Sequence, residues 1–430
     1  MADIEYLKSL QAVRERANLV LKAAENDELI HFSYHPDKMS EVAEYVTGII
    51  NRDFGPDRFD QIPPHGRWQH FEIGGVPRVD QLIKSWQEEG YDNIEITRRL
   101  IDLFFVAVLL DAGAGDFWKF TEPGTGDAYG RSEGIAVAAL YMFKAGSFTS
   151  KSAARDNELV DGQGLAALSI ETFRKHFQIT AENEIIGDVS RVSLLNSVGK
   201  SFLSLPEIFG EAGRPGNLVD YILAQKSGNE LEYETLWNVL QKTLLPAWPK
   251  NRTQVDGVPI GDSWPLEVLA KLNQGKNESR TASIQPFHKL TQWLAYSLSV
   301  PFIRVLGFEW KNLSLGTGLP EYRNGGLFVD MGALELKEPV LQQGRANSRE
   351  QTPSFEATSD VIVEWRAMTV ALLDQLYETI RDSFAKQGIE LNMAQMLEAG
   401  TWKGGRELAA KYRPSTKSSP IVIQGDGTLF

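Results

Sequence analysis

Four segments combine carboxylates, cations and glycines at spacings that can support chemistry. In Leu319-Pro320-Glu321-Tyr322-Arg323-Asn324-Gly325-Gly326-Leu327-Phe328-Val329-Asp330, the side chains of Glu321, Arg323, Asn324 and Asp330 can converge across a tight loop. The paired glycines would let a ligand approach the backbone. The plainer alternative is a turn carrying a local Glu–Arg pair. In Leu110-Asp111-Ala112-Gly113-Ala114-Gly115-Asp116-Phe117-Trp118, an apolar run ends in small residues and the carboxylate of Asp111. A lone Gly-x-Gly with no strand before it is weak evidence for nucleotide binding, and a helix C-terminus with a solvated aspartate explains it equally. Gly130-Arg131-Ser132-Glu133-Gly134 opens a helix. Its N-terminus beside Arg131 suits an anion, and Ser132 is placed to cap it. In Pro286-Phe287-His288-Lys289-Leu290-Thr291-Gln292-Trp293-Leu294, helical spacing puts His288 or Lys289 on one face with Gln292. A lysine at a helix start opposes the helix dipole, so Lys289 needs a partner of its own.

Other chemistries are excluded or disfavoured. The 430 residues contain no cysteine, which removes thiol nucleophiles, zinc–thiolate sites and iron–sulfur clusters. His31, His35, His65, His70 and His176 show no spacing of the zinc-protease kind, and neither a Gly-x-Ser-x-Gly elbow nor a Walker motif is present. Lys plus Arg is 44 against 57 for Asp plus Glu, a net charge of −13, so the basic footprint that nucleic acid demands is missing. The expectation is therefore no metal, no cofactor and no nucleic acid, with a small nucleoside- or nucleotide-derived molecule as the partner. Ile101–Leu110, the most apolar run, is about half of a membrane span and is broken by Asp102. Met1–Ile30 reads as a charged amphipathic helix rather than a signal peptide. No membrane partner is expected, and the chain is expected to be cytoplasmic.

These residues must be held by helices. Apolar stripes run through Met39, Val42, Val46, Ile49 and Ile50, through Leu290, Trp293, Leu294 and Leu298, and along a long helix starting near Asp360. Helices are also expected over 94–110, 132–144, 161–177, 188–203, 231–245 and 391–410. Strand signals are short: Phe71–Val79, Val255–Ile260, Leu327–Leu336 and Pro420–Phe430. Leu341–Ser354 reads as a polar loop. Gly75–Asp80 weakly echoes Gly257–Asp262, which two matched hairpins would explain. The fold class is mostly α, a multi-helix two-lobed globule with short β hairpins. One large domain over 1–430 is expected, with lobes 1–110 plus 341–430 and 111–340.

Taken together, Leu110–Gly115, Arg131–Gly134, Gly318–Arg323, Gly325–Gly332 and Gly400–Lys403 resemble the signatures of a fungal and bacterial family linked to uracil catabolism, and the resemblance runs nearly end to end. A fainter resemblance is to the queuosine nucleoside glycosylases, which cut an N-ribosyl bond. It rests on Phe117-Trp118, Ser132-Glu133-Gly134, Leu195-Asn196-Ser197-Val198-Gly199-Lys200, Phe287-His288-Lys289-Leu290-Thr291-Gln292 and Glu321-Tyr322-Arg323, in that order. Where that family has an aspartate before Tyr-Arg, this chain has Glu321, and Gly325-Gly326 replaces a Pro-Gln, so the base pocket should differ.

The first resemblance implies a pathway in which urea must be released from a ribosyl-urea. The second implies an all-α fold similar to helix-hairpin-helix glycosylases, and an N-glycosidase acting on ribosyl-urea or its 5′-phosphate. In that reading Glu321 is the catalytic carboxylate and Asp111 the second candidate. Arg323 orients Glu321 or binds a substrate oxygen, and Lys289 and Arg131 are candidates for a phosphate. Trp118 and Tyr322 wall the sugar or urea, while Glu133 and Asp330 bind hydroxyls or urea nitrogens, and His288 and Gln292 complete the binding set. The alternatives are a ureido amidohydrolase of the same pathway and a non-catalytic nucleotide-binding regulator.

Overall fold

The stripe of residues 39–54 folds as expected into helix Met39–Phe54, which buries Val42, Val46, Ile49 and Ile50. The long helix Asp360–Ala385 begins where the sequence placed it. No glycine or proline interrupts its 26 residues, and Val361, Met368, Leu372, Leu376 and Ile380 are buried along it. In the computed structural model, residues 2–111, 117–151, 157–249, 252–275, 279–348 and 352–425 are described. Helix accounts for well over half of them. The chain divides into two compact units.

The first unit comprises residues 1–65, 251–289 and 314–425. Its centre is helix Asp360–Ala385, packed against Leu10–Glu25 and Met39–Phe54. Tyr322–Asp330 packs on Trp402–Tyr412 and on the long helix. Small two-stranded pairs tie distant segments together. Phe32–Tyr34 runs antiparallel to Leu334–Leu336, Ser263–Pro265 antiparallel to Ile284–Pro286, and Ser354–Glu356 parallel to Val422–Gln424.

The second unit comprises the described residues within 66–249 and 290–313. Helix Asn93–Leu109 is capped by Asp92, whose carboxylate accepts from the Glu95 N–H at 2.8 Å. Its apolar half packs on helix Arg131–Lys144. Helix Asp188–Leu203 lies against Gly162–Ala166 so closely that a Cβ on Gly199 would sit 2.6 Å from the Gly162 carbonyl. Asn196 donates to the carbonyls of Leu165 and Leu168 at 2.8 and 3.1 Å. The Leu-Asn-x-x-Gly-Lys segment is thus the seam between two helices.

Several local expectations need correction. Phe71–Val79 is not a strand. Gly74 and Gly75 take positive φ, and the Val79-Leu82-Trp86 stripe starts a helix at Arg78. The echo of this segment in Gly257–Asp262 is therefore not a shared hairpin, although Gln254–Val255 and Val258–Pro259 do form one. Of Leu327–Leu336, only Leu334–Leu336 is strand, because helix Tyr322–Asp330 continues through the apolar residues before it. The polar stretch after Leu341 is helical as far as Ala346, in a helix begun at Glu338 with Pro339 in its first turn. Segment 161–177 breaks in two where Ser169 caps a new helix. Segment 391–410 is broken by a π-helical turn, Leu397–Thr401. Among the described residues, no helix is long and apolar enough to cross a membrane.

Candidate functional site

Glu321 is the N-cap residue of helix Tyr322–Asp330. Its Oε2 accepts from the Arg323 N–H at 2.8 Å and its Oε1 from the Asn324 N–H at 2.5 Å. Both oxygens are thus fixed by backbone donors at the positive end of a helix. Glu321 is half-buried. Burial raises its pKa above the ordinary glutamate value, against the pull of the two N–H groups and the charges of Lys289 and Arg323. A carboxylate clamped in this way can present a fixed negative field or accept a proton.

A second carboxylate holds the segment that carries Lys289. Asp262 is buried and forms a bidentate ion pair with Arg366, at 2.8 and 2.7 Å. The same carboxylate accepts from the backbone N–H of Lys289 at 3.0 Å and from the Trp264 indole at 2.8 Å. The Asp262 carbonyl accepts from Phe287 and His288. Burial alone would raise the Asp262 pKa, but Arg366, Lys289 N–H and Trp264 hold it well below the ordinary value. Arg366 also reaches the carbonyl of Pro320, the residue before Glu321, at 3.4 Å and stacks over Phe287 at 4.0 Å. One guanidinium thereby ties the Lys289 segment to the Glu321 segment.

His288 is buried with φ of 48°, and its Nε2 lies 2.8 Å from the Leu7 carbonyl. A carbonyl only accepts, so Nε2 carries the proton. Burial lowers the His288 pKa, which favours the neutral ring. The remaining candidates of this unit meet the C-terminal segment. Arg323 Nη1 donates to the Lys417 carbonyl at 3.0 Å, and its guanidinium lies over the Tyr322 ring at 4.9 Å. Asp330 receives a bidentate pair from Arg413 at 2.8 and 2.5 Å. Gly325 and Gly326 were read as room for a ligand, but they lie within the helix. A Cβ on Gly325 would meet Thr369 Oγ1 at 2.8 Å, and one on Gly326 would meet Pro420 at 3.0 Å.

The second unit holds the other candidates. Asp111 accepts from Arg67 Nη1 at 2.7 Å, and both residues are buried. Glu133 acts electrostatically on the same guanidinium. Arg131 begins its helix with φ of 54°, and the N-cap is Gly130 with no side-chain cap bond, so Ser132 does not cap. The Trp118 ring is buried and stacked on Phe177 at 5.7 Å, and its Nε1 donates to the Phe177 carbonyl at 2.9 Å. Gln292 is fully buried in helix Lys289–Arg304. Residues Ala112–Asp116 of the Asp111 segment lie outside the described residues.

Residues 6–430 match the model of a family described as "Protein of unknown function (DUF1688)". The chain belongs to the DUF1688 family. It is 46% identical over 429 residues to "Protein urg3" of Schizosaccharomyces pombe, covering 99% of this chain and 98% of that one. It is 40% identical over 442 residues to "Uracil catabolism protein 4" of Lachancea kluyveri, covering 99% of each.

Thr401, which holds the Glu321 segment, lies outside the candidates read from the sequence. Asn324 donates to the Leu319 carbonyl at 3.0 Å, and its Oδ1 accepts from Thr401 at 2.9 Å, so a residue whose N–H holds the Glu321 carboxylate is itself pinned. The π-helical turn that delivers Thr401 also delivers Glu398, whose carboxylate lies 2.6 Å from His65 Nδ1. His70 entered only as metal spacing, and Arg67 not at all. The density of His65, Arg67, Trp68 and His70 within six residues was the available signal. Among the described residues, His31, Asp360 and Glu364 have ligand atoms within 4.8 Å of one another, a constellation invisible at their sequence distance. Glu364 already accepts from the N–H groups of Ile30, His31 and Phe32 at 2.8–3.0 Å, and His31 Nε2 lies 2.9 Å from Asp360. The arrangement anchors the turn before strand Phe32–Tyr34.

Proposed function

We propose that this protein acts in uracil catabolism as an N-glycosidase that cleaves ribosyl-urea, or its 5′-phosphate, into urea and the sugar. The pathway is supported by the full-length similarity to "Uracil catabolism protein 4". The reaction is supported by one observation above all. Glu321 has both carboxylate oxygens fixed by backbone N–H groups, in a half-buried position near the charges of Lys289 and Arg323.

In this reading the bond between C1′ and the urea nitrogen breaks and its electron pair leaves with nitrogen. Water oxygen bonds to C1′, and one water proton ends on the urea. Positive charge builds on C1′ and the ring oxygen in the transition state. Glu321, held immobile before the charge develops, stabilises it or accepts the proton from water. Asp262 and Arg366 keep Lys289 and the Pro320–Glu321 segment in place. Tyr322 is the candidate for substrate oxygens and nitrogens beside Glu321, and Asp111, with Arg131 and Glu133 in its own unit, remains the second candidate carboxylate.

A ureido amidohydrolase is the second reading, favoured by the His31–Asp360–Glu364 constellation as a metal-capable set. The three backbone bonds to Glu364 weigh against it. The test is urea release from ribosyl-urea, free and phosphorylated, before and after exhaustive chelation. The glycosidase reading expects urea and the free sugar in equal amounts at an unchanged rate. Ammonia release, or activity lost to chelation and restored by zinc or manganese, would favour the amidohydrolase.

A further inference from the structure

Arg67 carries a binding capacity that the second unit does not use. Its side chain is fully buried. Nη1 donates to Asp111 at 2.7 Å and lies 3.3 Å from His70 Nδ1. Nε and Nη2, buried as well, have no hydrogen-bond partner among the described residues. Buried guanidinium donors are rarely left so, because each costs its desolvation with nothing in return.

The two atoms are also a matched pair. Nε and Nη2 form the side-on edge of a guanidinium, which meets two oxygens at once. Elsewhere in this chain that edge takes carboxylates. Arg78 grips Glu122 at 2.8 and 2.5 Å, and Arg98 grips Asp220 at 2.9 and 2.6 Å. In Arg67 the edge stands ready while the opposite side holds Asp111.

Charge favours an anion there. Arg191 is a second fully buried guanidinium that feels Asp111, and its donors Nε and Nη1 go to the carbonyls of Leu110 and Ile186. Among the described residues, both buried guanidiniums thus feel the buried carboxylate of Asp111, and the half-buried Glu133 acts on Arg67. Burial lowers the pKa of both arginines, a penalty that a bound anion relieves.

We propose that the side-on edge of Arg67 binds a phosphate group, inorganic or carried by a sugar phosphate. The proposal is independent of the reaction assigned above, because it is read by binding and that reaction by urea release. Calorimetric titration of the full chain with inorganic phosphate, ribose 5-phosphate and ribose tests it. Phosphate or ribose 5-phosphate is expected to bind and ribose to bind far more weakly. Tighter binding of ribose 5-phosphate than of inorganic phosphate would identify a sugar phosphate as the source, and equal binding the free ion. Arg67→Lys keeps the charge and loses the two-point edge, so affinity should fall at least about tenfold. If that variant does not fold, Asp111→Asn decides. It leaves Arg67 intact and removes the competing carboxylate, so phosphate should bind more tightly than to the wild type. No phosphate binding by the wild type, unchanged affinity in folded Arg67→Lys, or weaker binding in Asp111→Asn would overturn the proposal.

Discussion

Asp262 and Arg366 form a buried two-point ion pair, at 2.8 and 2.7 Å, that also fixes the backbone of Lys289 and the carbonyl of Pro320. Breaking it from one side leaves a buried charge alone. Arg366→Met or Asp262→Asn should therefore destabilise the protein by about 3–5 kcal/mol. The double variant Asp262→Leu/Arg366→Met should recover part of that loss, because no buried charge remains. Chemical denaturation of the three variants checks the ordering.

The same pair gives stability a pH dependence of known sign. The folded pKa of Asp262 is depressed, so its contribution is present above the ordinary aspartate value of about 3.9 and lost as pH falls below it. Denaturation midpoints from pH 6 down to pH 3 should fall more steeply for the wild type than for Asp262→Asn. Equal slopes would mean that Asp262 is not the group responsible.

For Glu321 the sign is opposite. Its folded pKa is raised, so the folded state holds the proton more tightly and its stabilising contribution is lost as pH rises through the window above about 4.3. Activity that needs the ionised carboxylate should then fall on the acid side at a pH above that value. A pH–rate profile of kcat/KM reads this limb directly, and Glu321→Asp should move it.

Thr401→Val removes the hydroxyl that holds Asn324 Oδ1 and keeps the side-chain volume. It should cost about 1–2 kcal/mol in stability. It should lower kcat more than it changes KM, because Asn324 supplies one of the two N–H groups that fix Glu321. Loss of stability with kcat unchanged would leave Thr401 a packing residue only.

What was legible in the sequence follows from the range of the forces involved. Helices such as Asp360–Ala385 and Asn93–Leu109 could be read because their apolar spacing and capping groups are local. Glu321 could be singled out because its neighbours Tyr322, Arg323 and Asn324 form one short motif. The glycines after it were misread, since their reason is contact with Thr369 and Pro420, far along the chain. Asp262, Arg67 and Thr401 went unsuspected for the same reason. Their partners Arg366, Asp111 and Asn324 lie 104, 44 and 77 positions away. Segment 71–79 failed locally, because two glycines at positive φ redirected a chain that looked extended.

The account rests on Glu321, and urea release by Glu321→Gln from ribosyl-urea and its 5′-phosphate tests it most directly. Glutamine keeps the shape and one acceptor oxygen, which can meet one of the two helix N–H groups, while removing the charge. The account predicts a fall in kcat of about 10²-fold or more in a folded protein whose substrate affinity stays close to that of the wild type. Wild-type turnover by a folded Glu321→Gln protein would contradict it.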